Sequence, residues 1–318
     1  MSTSLALHDP VVRTYALMIA AALVLAGVVL SLLTFVAKKP VPSIWATYRG
    51  WLVIVPVIFG ALVLGRTATI VVFSLVALAG FKELACATGL YRDWWLTGVV
   101  YIAIAAQAFV AWIIDPYTGQ LGWFGMFRTL PVYAIAAILM VPILRNRTQG
   151  QLQAVSLAIL GFLYVAWMFG HLLFLASSDH PYGYLLYLIV AVELNDVAAF
   201  TFGKIFGRHK LRSEISPNKT WEGSLGALAV SMAMPWLLAF SFPHFGAREK
   251  ILTGLIVGIG GQLGDLSISV IKRDLGLKDM GAALPGHGGV LDRIDSLIYT
   301  APLFLHMVHW FHGLYGVR

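Results

Sequence analysis

The residues able to do chemistry are concentrated in one stretch. Residues 269–296 read SVIKRDLGLKDMGAALPGHGGVLDRIDS, bringing Lys272, Arg273, Lys278, Asp279, His287, Asp292, Arg293 and Asp295 together in an otherwise apolar chain. Hydrocarbon tolerates charge only where it is paired, hydrated or bound to an ion. The parts suit a site for phosphate and metal. Carboxylates match a hard cation, Lys and Arg match phosphate oxygens, and a PGHGG turn lets backbone approach a ligand closely.

Spacing sharpens this reading. Asp292 and Asp295 are three residues apart, on one face of a helix, with Arg293 pointing elsewhere. Acids also favour a helix N-terminus, which is the plainer explanation of the pair. Together with Asp265 they form an oxygen-only donor set that favours Mg²⁺ over zinc. Asp265 and Asp196 each interrupt an apolar run, where a bare carboxylate is costly; the alternative is a structural ion pair with a lysine. Gly260, Gly261 and Gly264 just before Asp265 read as close helix packing, since a dinucleotide fingerprint needs a strand before it.

A second charged stretch, GKIFGRHKLRSEISPNKTWEG, spans 203–223. Thr220 is placed to cap a helix whose first turn holds Glu222. Lys219 opposes the dipole there, so an anionic ligand is a reasonable partner. Lys204, Arg208, Lys210 and Arg212 read as membrane-surface anchors. Flanking glycines point His287 toward a ligand. His306, His309 and His312 read as an interfacial face rather than a metal cluster. The one cysteine, Cys86, excludes an intrachain disulfide framework and is expected to be a small buried residue.

The elements that must position these groups are membrane helices. Of 318 residues 59% are hydrophobic and 12% charged. Runs of the roughly 20 residues needed to cross a bilayer recur throughout. The fold expected is an all-α integral membrane protein, a polytopic bundle of nine or ten helices. The ten-span reading places them at 14–37, 51–64, 67–88, 94–114, 124–144, 152–176, 182–206, 221–242, 251–271 and 297–315. The second is short enough to be re-entrant or merged with the third. No cleavable signal is expected, because Lys38 and Lys39 follow the first apolar run rather than precede it. Residues 1–150 read as scaffold helices with nothing that points to chemistry, and 151–318 as the catalytic region. The net charge of +7 does not indicate nucleic acid, because most basic residues fall on one set of loops, which is then cytoplasmic. The two charged stretches are separated by two spans, so they share a side whatever the N-terminal count.

Those residues carry a resemblance. The stretch from Ser269 to Asp295 resembles the signature of the phosphatidate cytidylyltransferases, or CDP-diacylglycerol synthases: S-x-apolar-K-R-x₄-K-D-x-small-x₂-apolar-P-G-H-G-G-apolar-x-D-R-apolar-D. Every specified position is met. SPNKTWEG resembles the family's second conserved segment, and GQLGD the lead-in to the signature. The resemblance covers about 193–296. Two positions depart from the pattern. Ile268 stands where the family has an acid, and Asn195-Asp196-Val197 stands for its Ser-Asp-Thr.

The resemblance implies transfer from CTP to phosphatidate, giving CDP-diacylglycerol and pyrophosphate in phospholipid synthesis. Mg²⁺ would be held by Asp265, Asp292 and Asp295, with Asp196 a further candidate, leaving room for a second cation. Lys219, Lys272, Arg273, Lys278 and Arg293 would bind phosphates. Gly286, Gly288 and Gly289 would form a backbone anion nest. Ser216, Asn218, Asp279 and His287 complete the implied substrate contacts. Apolar grooves between spans would admit the acyl chains. The expected setting is a bacterial inner membrane with the site facing the cytoplasm, amid membrane lipids, with no nucleic-acid partner and a homodimer allowed. Rival readings are a paralogue acting on another lipid phosphate, a CTP-dependent lipid kinase, an ion-coupled transporter, and an inactive membrane scaffold.

Overall fold

The computed structural model describes residues 3–38, 41–281 and 288–313. It is a bundle of long apolar helices in chain order. A short α1 (Thr3–His8) precedes α2 (Pro10–Ser31), α3 (Pro42–Leu64), α4 (Arg66–Thr88), α5 (Trp94–Trp112) and α6 (Phe124–Leu144). Next come α7 (Gln151–Leu160) and α8 (His171–Leu175), joined by a π-helical segment Gly161–Met168, and then α9 (Pro181–Phe206). A two-stranded hairpin follows, β1 (Lys210–Arg212) and β2 (Ser216–Thr220), then α10 (Trp221–Leu237). The chain ends in α11 (Ala247–Leu255), a π-helical segment Ile256–Gly260, α12 (Gly261–Asp274) and α13 (Leu291–His312).

Eight helices among the described residues are long and apolar enough to cross a membrane. The chain is an all-α polytopic membrane protein. The short second span proves to be a full 23-residue helix, because Pro42 starts it well before the apolar run and Gly65, at φ 108°, breaks it from α4. It is neither re-entrant nor merged. The segment 247–274 is one long helix rather than the shorter run read from hydropathy. The last helix begins at Leu291, so Asp292 and Asp295 lie inside it. Among the described residues, the short α1, α10 at 17 residues, and α13 fall outside the eight.

The core sits where the 161–175 segment, α4, α9 and α13 meet. Phe81, Phe162, Leu172, Leu185, Leu188, Ile298 and Phe304 are fully buried there. The outer helices present apolar side chains outward instead. Leu17 and Phe35 are more than 70% exposed, as lipid-facing residues should be in the absence of lipid. Cys86 is exposed, against expectation: it lies on the outward face of α4, while Leu84 and Ala85 face the core.

Candidate active site

Three helices converge on the site because small and hydroxyl residues let them. A Cβ on Gly264 would run into the Asp295 carbonyl oxygen, so α12 and α13 touch backbone to backbone. A Cβ on Gly261 would lie 3.1 Å from Asn195 Nδ2 on α9. Ser296 ties all three: its hydroxyl donates to the Gly261 carbonyl at 3.0 Å and, at 3.5 Å, to Asp196. The glycines before Asp265 thus serve packing. Small residues at such crossings are how membrane helices approach closely.

The hairpin delivers the first cation. β1 and β2 pair with Lys210 opposite Thr220 and Arg212 opposite Ser216. Thr220 caps α10 by accepting the Gly223 N–H at 3.2 Å. Glu222 in the first turn accepts the Arg208 and His209 amides and the His209 ring, which locks the hairpin onto the helix start. Lys219, one residue before the cap, is thereby aimed at α12, where its ammonium lies 2.5 Å from Asp265. Ser269 donates to the other Asp265 oxygen at 3.3 Å.

The signature segment is held by a second pair. Lys272, buried at the end of α12, bonds Asp292 at 2.8 Å. The other Asp292 oxygen accepts the Met280 and Gly289 N–H groups at 2.9 and 3.0 Å. Asp292 thus pins the beginning and end of the loop between α12 and α13, and the Gly289 N–H faces Asp292 rather than an open nest. Gly288 takes φ 79°, which an L side chain rarely adopts. Arg273 donates to the carbonyls of Ile215 and Leu277, tying α12 to the hairpin. Lys278, Asp279 and Asn218 are exposed, and Ser216 is half-buried on β2. Gly286 and His287 lie outside the described residues.

Asp196, Asp265 and Asp295 lie within electrostatic reach of one another, and Lys219 and Arg293 act on Asp196 from the opposite sign. Asp295 is buried, with one oxygen on the Ser296 N–H at 2.6 Å. Among the described residues no three acid or histidine side chains already converge as a metal cluster. The donor chemistry nonetheless fits a hard divalent cation: three mutually repelling carboxylates share one directly bonded lysine, and all their donors are oxygen. Asp292 could join them only by giving up Lys272.

One residue escaped the sequence reading. Glu83, in the last turns of α4, accepts the Val290 N–H at 2.9 Å and the Leu291 N–H at 2.8 Å. It supplies the acceptor that the start of α13 lacks, since no side chain at its own N-cap makes that bond. Gly281 and Gly289 pack against the same carboxylate, where a Cβ on either would come within 2.5 Å of it. Its one sequence signal was an acid among apolar residues near the end of a span. The two departures from the signature pattern are both buried. Ile268 is fully buried in the core. Asn195 is buried too and accepts the Ser231 hydroxyl at 3.0 Å.

With this geometry in place, the comparisons with known proteins agree. The model of the cytidylyltransferase family matches residues 45–311, and the chain belongs to that family. It is therefore a nucleotidyltransferase embedded in a membrane by multiple spans. A phosphatidate cytidylyltransferase of Staphylococcus haemolyticus is 33% identical over 244 residues, covering 76% of this chain and 90% of its own length. One from Staphylococcus aureus strain COL is 34% identical over 202 residues, covering 63% and 76%. The uncharacterized protein YnbB of Escherichia coli K12 is 31% identical over 253 residues, covering 77% and 80%.

Proposed function

We propose that the protein is a phosphatidate cytidylyltransferase working at the cytoplasmic face of its membrane with Mg²⁺. The observation that carries this is the convergence of Lys219, Asp265, Asp196, Asp295 and Arg293 at the meeting of α9, α12, α13 and the hairpin. Relatives carrying that name support it.

The reaction asks little covalent chemistry of the protein. A phosphatidate oxygen attacks the α-phosphorus of CTP, the bond from the α-phosphorus to the bridging oxygen breaks, and pyrophosphate leaves with that oxygen. The nucleophile is already an anion, so no general base is needed. The protein's task is to bring two polyanions together and offset their charge. Lys219 and Arg293 both act on Asp196 and would draw the two phosphates to one place. Lys272 and Glu83 hold the start of α13, which carries Asp292, Arg293 and Asp295. Asp196, Asp265 and Asp295 would hold Mg²⁺, which when bound supplies positive charge to the nucleotide phosphates.

Purified protein, phosphatidate, Mg²⁺ and CTP labelled separately in the α- and γ-phosphates test the reading. Label from the α-position should enter the lipid, and γ-label should appear in pyrophosphate. Transfer of γ-label to lipid would instead make the protein a kinase and overturn the assignment.

A further inference from the structure

Beside the acid cluster lies a cavity of about 280 Å³ that the reaction as described does not use. It is walled by α3 from Trp51 to Leu62, by α9 from Leu186 to Glu193 and by α13 from Val290 to Leu297, with Phe73, Val76 and Phe169 behind. Along α3 it extends ~16 Å, at 1.5 Å per residue. The lining is apolar except for Glu193 and Arg293. Both charged groups stand at one end: Arg293 is in the first turn of α13, and Glu193 is the last α9 residue on the wall. Arg293 acts electrostatically on Glu193 and also on Asp196. Asp196 follows Glu193 by three residues on α9, and Asp295 follows Arg293 by two on α13, so the charged end of the cavity adjoins the helix turns that carry the carboxylates.

We propose that this cavity receives one acyl chain of the lipid substrate, with the lipid phosphate held at Arg293. The inference rests on the phosphatidate reading above. A cavity that is apolar along its length, with the Arg293 guanidinium at its one charged end, can take a single acyl chain and set the lipid phosphate beside that cation. The chain comes from hydrocarbon, so moving it into apolar protein gains little transfer energy. The cavity therefore orients rather than attracts. It fixes where the phosphate lies relative to the carboxylates, which is the placement on which the rate depends.

Filling the cavity tests this. Ile54→Trp on α3 and Ile189→Trp on α9 each add a large ring to the lining from a different helix. The wild type and both variants are assayed for kcat/KM with dioleoyl and with dihexanoyl phosphatidate in one detergent. Overpacking of this size should cost the long-chain substrate about tenfold or more, and leave the short-chain substrate within about twofold. Retained short-chain turnover also shows that the variants fold. Equal losses on both substrates in both variants would overturn the proposal, and so would unchanged discrimination, which is the result expected for a structural lipid held there. If the wild type makes no CDP-lipid from either substrate, the phosphatidate reading itself fails, which is distinct from a failure of the cavity.

Discussion

Glu83 offers the sharpest test, because it sits outside the signature and touches it only through backbone. Replacing it with Gln keeps the shape and removes the charge. One oxygen still accepts an N–H at the start of α13, but an NH₂ group now faces the other N–H, 2.8–2.9 Å away. A hydrogen bond to a charged group is worth about 1.5–3 kcal/mol. A carboxylate at a helix N-terminus adds about 0.3–1 kcal/mol from the dipole. Losing one bond and the charge should therefore cost about 2–4 kcal/mol in holding the turn that carries Asp292, Arg293 and Asp295. If half of that is felt in the transition state, turnover falls roughly fivefold to thirtyfold, at 1.4 kcal/mol per decade. Glu83→Ala should fall further, because both N–H groups then lack an acceptor. The assay is kcat and KM for CTP, beside thermal stability in detergent. A positioning role lowers kcat at an unchanged folded fraction. Activity within twofold of wild type in Glu83→Gln would refute the reasoning. A loss that simply tracks the folded fraction would reduce Glu83 to a fold element.

Gly264→Ala should abolish activity, and lower thermal stability, by forcing α12 from the Asp295 carbonyl; a variant of normal stability and turnover would show that the crossing can yield. Asp265→Asn should abolish turnover at ordinary Mg²⁺ while the protein stays folded, and near-normal Mg²⁺-dependent activity would remove it from the site. Lys219→Met leaves Asp265 without its ammonium. The cost should lie between that of a surface pair, about 0–1 kcal/mol, and that of a broken buried pair, about 3–5 kcal/mol, because the two side chains are 19% and 33% exposed. Adding Asp265→Asn should recover stability but not activity, and calorimetry with a turnover assay separates the two. Cysteines placed at Lys219 and Lys278 in a Cys86→Ala background should be labelled from the same side, and opposite sides would refute a single site.

The long-range plan of the molecule was legible because it is written in composition and period. Apolar runs place helices whatever their neighbours are, and the signature residues are dense enough to stand out from them. Helix boundaries were less legible. The start of α3 at Pro42 adds aromatic and polar residues that hydropathy discounts, and α13 starts early because Glu83, from α4, accepts the Val290 and Leu291 N–H groups. Such satisfaction is tertiary and leaves little trace in a linear pattern. The same holds for Glu83 itself: an isolated acid near a span end looks like any interfacial residue until the fold sets it against Gly281 and Gly289. The cavity wall was also hidden, since Trp51, Phe73, Leu186 and Leu297 come from four helices and share no spacing.

The pairing pattern explains how such a charged site can persist beside hydrocarbon. Lys219 is bonded to Asp265, and Lys272 to Asp292. Two of the cations read as phosphate ligands are thus matched in the resting protein with acids read as metal ligands. A buried charge without a partner would be several kcal/mol worse, and the two pairs avoid that cost. The two pairs are not equivalent. Asp292 also receives two backbone N–H groups and its side chain is 5% exposed, so its pair is fastened into the loop. Among the described residues Asp265 has only Ser269 besides Lys219, and it is 33% exposed. The Lys219–Asp265 pair is therefore the one that can open to substrates at small cost, since Lys219 would exchange one anion for another rather than enter the site unpaired. On the proposed reading, that asymmetry gives the ligand-exchanging role to the hairpin and α12, and the fixed frame to α13 and its brace from α4.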